Sequence, residues 1–98
     1  MARIRIVAVP PGFAPLSIRE QWVGIEIPLA TNRDISKNPP SELGIGSANR
    51  GGYMVLTSKA IEALKSAERI SAAAFWKQLT LGHYLVFKRD VCELIPEP

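Results

Sequence analysis

Apolar and polar positions alternate most regularly between Gln21 and Leu29 (QWVGIEIPL), with Val23, Ile25, Ile27 and Leu29 on one face of an extended chain and Trp22, Gly24, Glu26 and Pro28 on the other. This predicts a strand whose first set faces the core. Pro28 has no N–H to donate, which places the strand at a sheet edge or ends it there. Arg3 to Val9 (RIRIVAV) predicts an earlier strand with Ile4, Ile6 and Ala8 inward, closed by Pro10, Pro11 and Gly12. Antiparallel pairing of the two sets Arg3 or Arg5 across from Glu26. Between them, Ser17-Ile18-Arg19-Glu20 has the spacing of a capping box and predicts one short helical turn.

Periodicity is lost from Ala30 to Gly51, where Asn, Ser, Pro and Gly accumulate, so a long irregular loop is expected. Gly52 to Thr57 resumes as a strand. Ser58 is placed to cap a helix through Lys65, and Ala72, Phe75, Trp76 and Leu79 have the i, i+3, i+4, i+7 spacing of a second helical face. Two helices joined by a kink near Ser66 to Ser71 are expected, with one long helix as the alternative. His83 to Lys88 and Val91 to Ile95 predict two final strands, hairpinned by Arg89-Asp90, although the glycine usual in such a turn is missing. The expected fold is α+β: an antiparallel sheet of about five strands, with a helical segment over 58–79 inserted before a C-terminal hairpin, in one domain spanning 1–98. A small SH3-like barrel with a helical insertion is the alternative on pattern.

Composition narrows the function classes. The 98 residues are 47% apolar and 21% charged, ordinary for a globular chain. A single cysteine, Cys92, allows no internal disulfide and no thiolate metal cluster, and it fits a reducing cytoplasm. The apolar run before Gly12 is too short for a signal-peptide core, and no stretch reaches the roughly 20 apolar residues of a membrane span. Net charge is +3, but residues 1–50 carry six Lys/Arg against four Asp/Glu and residues 51–98 six against five, so neither half is a basic arm.

His83 and Cys92 are the most tempting chemical pair, because an imidazole beside a thiol can generate a thiolate. In the expected hairpin, Phe87 faces Cys92, and His83 lies four residues further, about 13 Å away at roughly 3.3 Å per residue. An inert thiol is therefore expected. Gly44-Ile45-Gly46 and Gly51-Gly52 resemble a phosphate-cradling loop only in spacing, since Gly52-Tyr53 stands where Lys and Ser/Thr should follow. No metal-ligand spacing and no cofactor motif occurs. Glu26 is flanked by Ile25 and Ile27, yet alternation points it to solvent.

Trp22 falls opposite the core set, so its indole is either covered or part of a contact surface. With Arg3 and Arg5 on an adjoining strand, and Arg19 or Arg50 in neighbouring loops, it would form an aromatic-plus-arginine patch of the kind enriched at interfaces. Phe75 and Trp76 read as core. The leading expectation is a non-catalytic interaction or small-ligand-binding module that uses the long loop and the Trp22 face, with a protein or a small molecule as partner and no membrane. Weak nucleic-acid binding through Arg3, Arg5, Arg19, Arg33 and Arg50 is the second reading, and an enzyme whose polar groups meet only in space is the third.

Overall fold

The computed structural model describes residues 2–12, 14–37, 52–79 and 82–96. Strand β1 (Arg3–Ile6) is followed by helix α1 (Leu16–Arg19), a 3-10 turn (Glu20–Trp22), β2 (Glu26–Pro28) and α2 (Asn32–Lys37). Then come β3 (Gly52–Leu56), α3 (Thr57–Ser66), α4 (Ile70–Gln78), β4 (Tyr84–Lys88), a second 3-10 turn (Arg89–Val91) and β5 (Cys92–Ile95). The class is α+β with antiparallel strands. These form two sheets rather than one, in the order β2-β1-β5 and β3-β4.

The expected C-terminal hairpin is not formed. β4 pairs with β3, with Tyr53 opposite Phe87, and β5 pairs with β1, with Ile4 opposite Leu94 and Ile6 opposite Cys92. The reason lies in Arg89-Asp90, because a two-residue hairpin turn wants positive φ at its centre and neither residue is glycine. The segment winds instead into a 3-10 turn, which carries β5 across to the other sheet. Ala30 N–H donates to Met54 O at 2.9 Å, linking the end of β2 to β3. The ladders of the described residues define these two sheets and no closed barrel.

Between α1 and β2 the chain departs from the expected long strand. Trp22 O accepts the Ile25 N–H at 3.0 Å, and Val23 (φ −61°, ψ 128°) and Gly24 (φ +89°) occupy the two central positions. This is a type II turn, whose third residue needs the positive φ that glycine adopts without strain. The turn breaks the period of two. Trp22, expected opposite the core, is therefore 1% exposed inside it, together with Ile25 and Ile27. β1 ends at Ile6, because the Val7 and Ala8 N–H groups both turn to Val91 O. Ala8 is consequently exposed, while Ile4 and Ile6 are fully buried as expected.

The helix caps differ from the sequence reading. Ser17 lies inside α1, whose N-cap is Pro15 with no side-chain bond, so the Ser17–Glu20 box is not made. The Pro15 carbonyl instead accepts from both Ile18 and Arg19, each at 3.0 Å. α3 starts at Thr57 rather than after Ser58, and the Thr57 hydroxyl donates to Gly82 O at 2.7 Å. The break between α3 and α4 falls within the expected 66–71. There Glu68 takes φ +61°, its N–H reaching Lys65 O and the Arg69 N–H reaching Leu64 O, the bond pair of a Schellman cap. Ala60 and Leu64 from α3 and Ala72 and Ala73 from α4 close over Ile4, Ile6, Ile27, Val55 and Phe87 in one apolar cluster.

Candidate functional site

The five expected binding residues do not converge. Arg3 and Arg5 point to the outer face of the β2-β1-β5 sheet, where Arg5 stands between Glu26 on β2 and Glu93 on β5 in register. Arg5 Nη2 and Nε donate to Glu26 Oε2 at 2.9 and 3.2 Å, and Arg3 Nε lies 2.7 Å from Glu26 Oε1. The Arg5 hydrogen bonds, with the nearby Arg3 charge, hold the Glu26 carboxyl below its ordinary range. The Arg–Glu pairing read from the alternation is thus present, and it occupies both cations of this face.

Arg19 is engaged elsewhere. Its Nε donates to Ala14 O at 2.8 Å and its Nη1 to Pro10 O at 3.2 Å, pinning the proline-rich connection after β1 to the end of α1. Trp22 and Arg19 do share a small cleft of about 80 Å³ with Pro10, Trp76 and Phe87. Trp22 is wedged edge-on against Phe87, with centroids 5.0 Å apart, and lies 5.7 Å from Trp76, so it serves mainly as packing. Arg50 and the Gly44–Gly51 stretch lie outside the described residues. Trp76 sits 5.5 Å from Phe75, and both rings are half-buried at the core's edge.

Cys92 lies on β5, whereas His83 precedes β4, a strand of the other sheet. The thiol packs against the core from β5, and burial, helped by the Asp90 charge, pushes it up to about 11. His83, exposed just before β4, stacks edge-on against Tyr84 at 4.9 Å.

The largest departure from the sequence reading lies at the start of the expected loop. Thr31 N–H donates to Asp34 Oδ2 at 2.9 Å, and Asp34 N–H donates to Thr31 Oγ1 at 3.1 Å. This reciprocal cap nucleates α2, and the signal for it was present in Thr31-Asn32-Arg33-Asp34, a capping-box spacing with Asp in place of Glu. The bond from the Thr31 backbone keeps the Asp34 carboxyl below its ordinary value. Tyr84 Oη donates to Asp34 O at 2.8 Å, tying the helix down on β4, and burial raises the Tyr84 hydroxyl above its usual range.

Seated this way, α2 forms one wall of a cleft of about 490 Å³. Pro28 and Leu29 from the end of β2 and Leu56 from the end of β3 supply apolar lining. Arg33 and Asp34 from α2 and Lys59 from α3 stand along it. That volume lies in the range of small-molecule pockets, which join apolar walls to a few polar groups. Nothing in the alternation of single strands could have announced it, because its parts come from four elements.

Among the described residues no group of three His, Cys, Asp or Glu side chains is placed to hold a metal ion, and no helix is long and apolar enough to cross a membrane. No family model, curated protein or solved structure matches the chain. What its own coordinates define is an α+β class of two antiparallel sheets sharing one core, with a mixed apolar and charged cleft at the junction of β2, α2 and α3.

Proposed function

We propose that this protein is a non-catalytic small-ligand-binding module whose ligand sits in the cleft between α2 and α3. The carrying observation is the cleft itself: about 490 Å³, with Leu29 and Leu56 in its lining and charged side chains beside them. Two findings favour this over the arginine-patch readings. Arg3, Arg5 and Arg19 are already engaged with protein partners, which lowers what they can offer to phosphates. Trp22, the aromatic on which a contact surface was expected to rest, is buried. The first residues of the expected contact loop, by contrast, form a wall of the cleft. Burial pushes the Cys92 thiol up to about 11, and Cys92 lies on β5 while His83 precedes β4 of the other sheet, so this pair does not supply an activated nucleophile. A cytoplasmic setting is supported by the single thiol.

The test is ligand titration by NMR with small amphiphiles of four to eight heavy atoms. Binding should move the amide and methyl signals of Leu29, Leu56 and residues 31–34 together, and Leu56→Gln should weaken it. Shifts confined to other surfaces, or none at millimolar ligand, would refute the reading.

A further inference from the structure

We infer that the ligand of the α2/α3 cleft carries an anionic group, held between Arg33 and Lys59, with an apolar body laid against Leu29 and Leu56. This rests on the cleft being the ligand site, and it adds the sign of the ligand's charge. Three formally charged side chains line the cleft, Arg33, Lys59 and Asp34, two cations against one carboxylate. The carboxylate is partly engaged: Asp34 Oδ2 accepts the Thr31 N–H at 2.9 Å as part of the α2 cap, which fixes its direction, and its charge leaves the lining with a net single positive charge. Arg33 is exposed and makes no ion pair or hydrogen bond among the described residues. Lys59 has Glu62 at 3.9 Å, but with both side chains more than half exposed that pair contributes little, and its charge also acts on Asp34 across the cleft.

The neighbouring cleft sharpens the contrast. Pro28 and Lys59 border both, and on the far side, in about 480 Å³, the lining carries Glu26 and Glu62. Lys59 thus stands between a groove lined by Glu62 and by Glu26, which is paired with Arg3 and Arg5, and the ligand cleft, where Asp34 is the carboxylate among the described residues. An ammonium ligand would meet two cations and one carboxylate, an unfavourable balance of charge. A carboxylate would find a guanidinium shaped for it and an ammonium. The apolar lining, Leu29, Leu56 and Pro28, suits a short alkyl or aryl tail. The ligand class is therefore a small monoanion with an apolar body.

The experiment compares hexanoate, hexanamide and hexylamine, matched in tail and differing in head charge, titrated into the full chain and into Arg33→Gln and Lys59→Gln. Hexanoate should bind most tightly. Each substitution should weaken it by roughly two- to fivefold, the range expected of an exposed ion pair, while weakening hexanamide less. Raising the salt should shrink the preference. Equal binding of hexanoate and hexanamide, or tighter binding of hexylamine, overturns the charge assignment while leaving the cleft as ligand site. Failure of all three to perturb the cleft removes both. Both substitutions fall at exposed positions, and unchanged thermal unfolding of the variants confirms that lost affinity is not lost fold.

Discussion

The sulfur of Cys92 sits on the inner side of β5, opposite Ile6 and against the core, and its surroundings decide how it reacts. Burial disfavours the thiolate and pushes the group up to about 11. An unfolded chain would ionise this thiol near pH 8.5. The folded state therefore keeps a proton that the unfolded state gives up, and stability should fall as pH rises from about 8.5 towards 11. Two measurements follow. Alkylation by iodoacetamide should be slow at pH 7 and keep climbing to about pH 11, and Cys92→Ala should flatten the alkaline loss of stability. A reaction rate already level at pH 8 would contradict the burial argument. The alternation in the sequence foretold an inert thiol but named the wrong neighbours, Phe87 in place of Ile6, since a residue's face can be read locally and its cross-strand partner cannot.

At the level of elements, what could be read from the sequence were segments whose instructions are local. Ile4, Ile6, Ile25 and Ile27 announced their burial by alternation, Arg5 found Glu26, and the chain broke into two helices where expected. What could not be read depended on backbone geometry or on a distant partner. Val23-Gly24 looks like strand until the positive φ of Gly24 makes a turn of it, and that one residue reverses the placement of Trp22. The pairing of β5 with β1 spans most of the chain, and no turn at Arg89-Asp90 could reveal it. The cleft was hidden for the same reason, apart from the cap at Thr31, which the sequence did carry. The α3–α4 junction gives the prediction of this scale. Glu68 holds a left-handed conformation at the position where glycine usually ends a helix. A side chain there costs about 1 to 2 kcal/mol relative to glycine, offset in part by glycine's greater freedom when unfolded. Glu68→Gly should therefore stabilise the protein by about 1 kcal/mol, read as a higher urea midpoint at unchanged slope, whereas Glu68→Val should lower it. A glycine variant less stable than the parent would show that the carboxylate at the entry to α4 outweighs backbone strain.

The molecule as a whole is held together at the seam between its sheets by side chains more than by ladders. Trp22, beside β2, packs its ring on Phe87 of β4 and Trp76 of α4, so one indole reaches from the three-stranded sheet to the two-stranded sheet and its helices. Removing a buried ring of this kind costs about 3 to 5 kcal/mol. Set against the roughly 5 to 15 kcal/mol that stabilise typical proteins, Trp22→Ala should leave a marginal fold, and Trp22→Phe a smaller loss. Because the core is common to both sheets, tryptophan fluorescence and far-UV circular dichroism should trace a single urea transition in the parent chain. Two separated transitions would mean that the sheets unfold independently and that Trp22 does not join them. The seam also bears on the cleft, whose lining takes Pro28 from β2 and Leu56 from β3, one residue from each sheet. Trp22→Phe lies away from that lining, yet any loosening at the seam lets those walls part. Its affinity for hexanoate and hexanamide should fall by the same factor, unlike Arg33→Gln, which should weaken hexanoate more than the neutral ligand. A loss confined to hexanoate would instead place Trp22 in contact with the bound charge, against its burial in the core.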